Sequence, residues 1–159
     1  RPLVEELGLA GEITNSPGSE VSLLFAHINC LGCPPQTGLY FEAPWLKFDE
    51  EGESAGVKTI PQVFDMMRDE MHAVMIQINH FREGTALFNA IDYDPELGPS
   101  VLHPDDWSDN FDALEVWNSG QDLSHLFDGT LLDWYSLLNR GMNKVATGNS
   151  DSHALTQWA

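Results

Sequence analysis

Three observations predict an α/β fold of parallel strand–helix–strand units. Strand-like apolar runs alternate with helical ones along most of the chain, the alternation that parallel βα architecture requires. Five such runs end in groups able to bind a metal or a polar substrate: Glu12, His27, His80, Asn118, and the pair Asp151 and His153. The 159 residues, 42% hydrophobic with five tryptophans, suffice for one domain with a real core, burying about two-thirds of its unfolded surface.

Each element has a local reason. Leu3 to Leu7 has the character of a helix tail, with Gly8 at the C-cap. Leu9 to Thr14 is a short strand with Glu12 near its end, and after the turn Asn15-Ser16-Pro17-Gly18 a second strand runs from Val21 to Ala26 and finishes at His27. Residues 32–56 are rich in Pro, Gly and acid but hold Tyr40, Phe41, Trp45 and Phe48, as expected of an ordered excursion. Thr59 followed by Pro61 starts a helix, which Val63, Met66, Met67 and Glu70 continue with the methionines in the core. His72 to Asn79 is a buried strand ending at His80, and Phe81 to Gly84 is its exit loop. An irregular, Pro-rich insertion runs to Asp109. Ala113 to Trp117 is the next strand, Leu131 to Asn139 an amphipathic helix with Gly141 beyond its end, and Asn143 to Thr147 the last strand. No short-period repeat or low-complexity tract interrupts this order.

Charge narrows the partners. With 25 acidic and 7 basic residues the formal net charge is −18, which disfavours nucleic acid and anionic membranes, since phosphate contacts need clustered Lys and Arg. No apolar run approaches the ~18 residues of a membrane span, and the opening Arg1-Pro2-Leu3-Val4-Glu5-Glu6 lacks a signal-peptide core. The compartment is left open. A small-molecule substrate is the expected partner. Cys30 and Cys33 form a lone Cys-x-x-Cys, read first as two packed thiols, next as a local disulfide, and last as a metal or redox pair.

The most informative stretch is Val145-Ala146-Thr147-Gly148-Asn149-Ser150-Asp151-Ser152-His153. Positions i and i+2 of an extended segment project to the same side, so Asp151 and His153 aim at one point, and carboxylate plus imidazole suits Zn, Mn or Fe. The competing reading is a polar loop with an Asx-type turn. Several metal-capable groups on one topological edge favour a metal site, because the C-terminal face of the strands in α/β barrels carries the active site. Arg82 is either a clamp for a substrate anion or half of a surface ion pair with Glu83 or Asp92. Asn118 either orients substrate or caps the following loop. His72, His103 and His125 are read as structural or solvent-facing.

Taken together, Gly11-Glu12-Ile13-Thr14, His27, Asn79-His80-Phe81-Arg82, Glu115-Val116-Trp117-Asn118 and the Asp151/His153 motif resemble the PHP (polymerase and histidinol phosphatase) superfamily of metal-dependent phosphoesterases, and within it the branch similar to carbaryl hydrolase. The resemblance spans nearly the whole chain. It implies a distorted (β/α)7, TIM-like barrel holding two or three divalent ions (Zn, Mn or Fe), with Glu12, His27, His80, Asp151 and His153 as ligands. It also implies a hydrolase in which metal-activated water attacks a phosphate ester, or a carbamate, ester or amide, Asp151 or His153 exchanging a proton with the leaving group and Arg82 and Asn118 holding substrate. Two departures stand out. The family's opening His-x-His and later Thr-Asp-His do not occur, and Phe81 replaces the usual Pro. Residues 1–159 are accordingly expected to be a single PHP-like domain lacking its first strands, a partial barrel completed by preceding strands or another chain. The alternative function is a non-catalytic module that binds metal or a partner through a degenerate site.

Overall fold

The computed structural model of the chain describes residues 5–12, 18–33, 46–48, 50–51, 54–118 and 122–152. In chain order these hold strands β1 (Gly18–Ser22), β2 (His27–Leu31), β3 (Leu46–Phe48) and β4 (Ser54–Val57), helix α1 (Ile60–Asp69), strand β5 (Met75–Asn79), the single turn α2 (Leu87–Ala90) and strand β6 (Ala113–Trp117). Then come a short helix α3 (Leu123–His125) running through a π-helical stretch (Leu126–Thr130) into α4 (Leu131–Asn139), and strand β7 (Val145–Gly148).

The protein is mixed α/β. Five strands form one sheet in the order β1-β2-β5-β6-β7, and β3 and β4 pair separately. The β5–β6 and β6–β7 pairings are parallel, as the alternation of strand and helix predicts. The β1–β2 and β2–β5 pairings are antiparallel, so the all-parallel expectation fails for this half. The sheet is open, with β1 and β7 at its edges, and no barrel closes among the described residues.

Two early strands also differ from expectation. Over residues 9–12 the chain turns, Glu12 N–H donating to the Leu9 carbonyl (2.9 Å), so Glu12 is an exposed turn residue and not a strand end. The run Val21 to Ala26 is broken by a reversal in which Leu23 N–H donates to Ala26 C=O (2.7 Å). His27 therefore opens β2 instead of closing a strand.

Helix α1 begins where the sequence places it, with Thr59 N–H donating to Gln62 Oε1 (3.1 Å) and Pro61 in the first turn, where a missing N–H is harmless. It buries Val63, Phe64 and Met67. Arg68 in its last turn bonds to Asp112 Oδ2 (2.6 Å), which also accepts the Ile76 N–H (2.7 Å). This carboxylate joins the helix to two neighbouring strands. The expected strand start at His72 lies three residues early: His72 has φ 55°, a reversal that β5 follows.

Period-two alternation divides the sheet sharply. On one face Val21, Ile28, Cys30, Ile76, Ile78, Leu114 and Val116 join the apolar core. The other face carries Glu20, His27, Asn29, Gln77, Asn79, Glu115 and Thr147, and three of these, Gln77, Asn79 and Glu115, are at most 4% exposed. A sheet face that is both polar and buried must satisfy its groups internally.

The insertion before β6 is irregular, as expected, yet well packed. Phe88, Ile91 and Tyr93 are buried, and Trp107 meets the rings of Phe88, Tyr93 and Phe111 at 5.7–6.1 Å between centroids. Cys30 and Cys33 form a disulfide, the second of the readings offered by their spacing. Gly32, at φ 76°, folds the chain back after β2 and brings the two Cα atoms to 5.8 Å, inside disulfide range. No helix among the described residues is long and apolar enough to cross a membrane.

Candidate active site at the sheet edge

The polar face is one hydrogen-bonded row. Thr147 Oγ1 donates to Gln77 Oε1 (3.0 Å), Gln77 Nε2 to Asn79 Oδ1 (2.8 Å), and Asn79 Nδ2 to Glu20 Oε2 (2.8 Å). Every donor points the same way, from β7 across β5 to β1, and the row ends on a carboxylate. Glu20 Oε1 lies 3.4 Å from His27 Nδ1.

At the C-terminal edge of the parallel strands this row meets two imidazoles. Because β2 runs antiparallel to β5, its first residue, His27, sits opposite Asn79, the last residue of β5. His80 follows Asn79 directly. The two rings meet edge to face, 4.8 Å between centroids, with His80 Nε2 2.9 Å from His27 Nδ1. On its other side the His80 ring places Nδ1 3.2 Å from Glu115 Oε2, and the same oxygen accepts the His80 backbone N–H (2.7 Å). Asn149 Nδ2 donates to the other oxygen, Oε1 (2.7 Å), and the Asn118 amide contacts His80 Nδ1 (3.2 Å). The hydrogen bond to Glu115 raises the His80 pKa above its ordinary value against the opposing effect of burial, with further help from the charges of Glu115, Glu83 and Asp151. A cleft of about 390 Å³ opens beside the rings, walled by the hairpin tip Leu23, Leu24 and Phe25 and by the segment from Glu83 to Ala86.

The structure thus brings together three residues singled out by the sequence, His27, His80 and Asn118, while Asp151, an exposed residue at φ 45° just past β7, is the smallest of the charges acting on the His80 ring. Glu12 is not at a strand end, and His153 lies outside the described residues. Arg82 is turned elsewhere. Its guanidinium forms a two-pronged pair with the buried Asp133 of α4 (Nε–Oδ2 2.6 Å, Nη2–Oδ1 2.7 Å), donates to Tyr93 C=O (2.7 Å) and Asn89 Oδ1 (3.1 Å), and lies 5.6 and 5.8 Å from the Phe88 and Tyr93 ring centroids. It is a structural tie, neither the substrate clamp nor the surface pair with Glu83 or Asp92 that the sequence suggests. Glu20, Gln77, Asn79, Glu115 and Asn149 gain no role from the sequence, although Asn79, Glu115 and Asn149 lie inside motifs read from it. For Gln77 and Asn79 the signal is the alternation of polar with apolar residues in Ile76-Gln77-Ile78-Asn79, and for Glu115 the lone acid within the apolar strand Ala113-Leu114-Glu115-Val116-Trp117.

Among the described residues no group of three or more His, Cys, Asp or Glu side chains closes around one point as a metal cage. The donor chemistry at His27 and His80 nevertheless fits an ion. Two imidazole nitrogens converge at 2.9 Å, a hydrogen-bond separation, a few tenths of an ångström short of the about 3.3 Å between two nitrogens on a tetrahedral ion with bonds of about 2.0–2.1 Å. A carboxylate on the far nitrogen of His80 is the usual support for a ligating imidazole.

Comparison with family models, curated proteins and solved structures finds no match for this chain.

Proposed function

We propose that this chain is a metal-dependent hydrolase in which His27, His80 and Asp151, with His153, hold a divalent ion (Zn, Mn or Fe) at the sheet edge, and that the parallel strands β5, β6 and β7 are an arc of a distorted (β/α)7 barrel of the PHP type. The observation that carries this is the convergence of His80 Nε2 and His27 Nδ1 at 2.9 Å with Glu115 behind His80. A bound ion lowers the pKa of a coordinated water toward neutrality and polarises the scissile group. The chain's own residues do the rest. Glu115 and Asn118 fix the plane of the His80 ring, Asp151 adds negative charge on the open side, and the walls from Leu23 to Phe25 exclude water from one side of the cleft. Asn118 orients the ring that faces substrate.

One observation favours the non-catalytic alternative. Arg82 is engaged with Asp133, and the described residues lining the cleft include no lysine or arginine to steady an anionic transition state. The deciding experiment strips the full chain with chelator, reloads Zn²⁺ or Mn²⁺, and assays p-nitrophenyl phosphate and p-nitrophenyl acetate. Metal-dependent turnover abolished by His80→Ala supports the hydrolase. Stoichiometric metal binding without turnover supports the binding module, and no metal binding ends the hydrolase reading and leaves the module only as a binder of a partner.

A further inference from the structure

Glu115 is a buried carboxylate in an unusual situation. It is 3% exposed, and its hydrogen-bond partners among the described residues are the backbone and ring of His80 and the amide of Asn149, none of them a lysine or arginine. Its one potential cation among these partners is the His80 ring itself, and a carboxylate buried this deeply is otherwise a cost to folding, so apolar packing does not account for it. Its main partner is also strained: His80 has φ 26°, in the left-handed region that side chains avoid. One oxygen of Glu115 holds both the N–H of that strained residue and its ring nitrogen.

We propose that Glu115, anchored by Asn149, is the positioning residue of the site: it fixes His80 as the Nδ1–H tautomer and so aims the Nε2 lone pair at His27. An ionised carboxylate only accepts, so the hydrogen between Glu115 and the neutral ring belongs to Nδ1. In the metal-free protein His80 Nε2 is then an acceptor and the 2.9 Å contact takes its hydrogen from His27 Nδ1; an ion between the two nitrogens would displace that hydrogen, His27 passing to its Nε2–H form. The Asn118 amide, whose O and N are interchangeable in placement, turns its oxygen to Nδ1–H. Each ring is left with one lone pair of defined direction. This rests on the hydrolase proposal only for its purpose, not for its geometry.

The test uses the full chain, ¹⁵N-labelled and free of metal, at a pH where the rings are neutral. Long-range ¹H–¹⁵N spectra should show His80 protonated on Nδ1 in the native protein and in Glu115→Gln, whose amide oxygen still accepts, and shifted toward Nε2–H in Glu115→Val. The same valine variant should bind Mn²⁺ about 10–100-fold more weakly, the usual loss on removing a carboxylate behind a ligating imidazole, with glutamine restoring most of the affinity. A native His80 protonated on Nε2, or a valine variant that keeps the Nδ1–H form, overturns the proposal. If the valine variant does not fold, the native and glutamine spectra decide alone. The tautomer is read without metal or substrate, so failure of the hydrolase proposal leaves this result standing, and the reverse holds too.

Discussion

Removing the Arg82 guanidinium should unfold much of this protein's margin of stability. Asp133 is 1% exposed and both its oxygens are held by Arg82 at 2.6 and 2.7 Å. In Arg82→Met the stem is kept and the charge is lost, leaving a carboxylate uncompensated in the core, a change that costs about 3–5 kcal/mol. Domains have about 5–15 kcal/mol in total, and with a urea slope of about 2 kcal/mol per molar the midpoint should fall by about 1.5–2.5 M. The sign of the pH effect follows from the carboxyl. Burial already pushes the Asp133 pKa up, and the hydrogen bonds and charge of Arg82 hold it down. Without Arg82 the folded pKa rises further above the unfolded one, so protonation is favoured by folding. Stability from this group is full below the unfolded pKa and is lost as pH rises through the folded one. The gap between variant and native protein should therefore narrow as pH falls from 7 toward 5. Replacing both partners, Arg82→Met with Asp133→Leu, should recover most of the loss, apart from about 1 kcal/mol for each donor lost by Tyr93 C=O and Asn89. Urea titrations at both pH values measure all of this. A single variant within about 1 kcal/mol of native, or a double variant no better than the single, would refute the structural assignment of Arg82.

Three further outcomes are expected. Gly32→Ala places a Cβ 2.6 Å from Val74 Cγ2 at a φ of 76° and should lower stability by about 1–3 kcal/mol, read as a drop in melting temperature; an unchanged melt contradicts the described turn. Reducing Cys30–Cys33, which closes a loop of only four residues, should lower stability by about 2 kcal/mol on the chain-entropy account, and a loss of fold on reduction would mean the bridge does more than constrain the unfolded chain. Asp151→Asn, at an exposed position past β7, should leave the unfolding free energy within about 0.5 kcal/mol of native while lowering metal-dependent turnover by far more than a few-fold; near-native activity at saturating metal would remove Asp151 from the metal's shell.

What the sequence made legible follows how local the determinants are. Strand β6 and helix α4 lie where the pattern of apolar residues places them, because Ala113 to Trp117 and Leu131 to Asn139 carry strong periodicity and Gly141, at φ 81°, ends the helix as Gly does at a C-terminal cap. The hairpin between β1 and β2 was hidden. Its tip is Leu24 and Phe25, with Leu24 90% exposed, and neither Gly nor Pro marks the reversal. The fate of Arg82 was equally invisible, since its partner Asp133 is 51 residues away and only the tertiary fold brings α4 beneath the exit loop of β5. His27 and His80 were found as strand-end residues, and one of them for the wrong reason. His27 reaches the site by opening an antiparallel strand.

The polar row also constrains how the sheet can assemble. Side chains alternate between faces, so sliding a strand by one residue inverts its whole pattern. For β5, held between the antiparallel β2 and the parallel β6, such a slip would press Gln77 and Asn79 into the apolar layer and present Ile76 and Ile78 to Glu20 and Thr147. Both neighbours would reject it at once. Misregistered pairings are thus disfavoured by unsatisfied amides on one side and stranded hydrocarbon on the other, and the residues that shape the site also act as an alignment key while the chain folds.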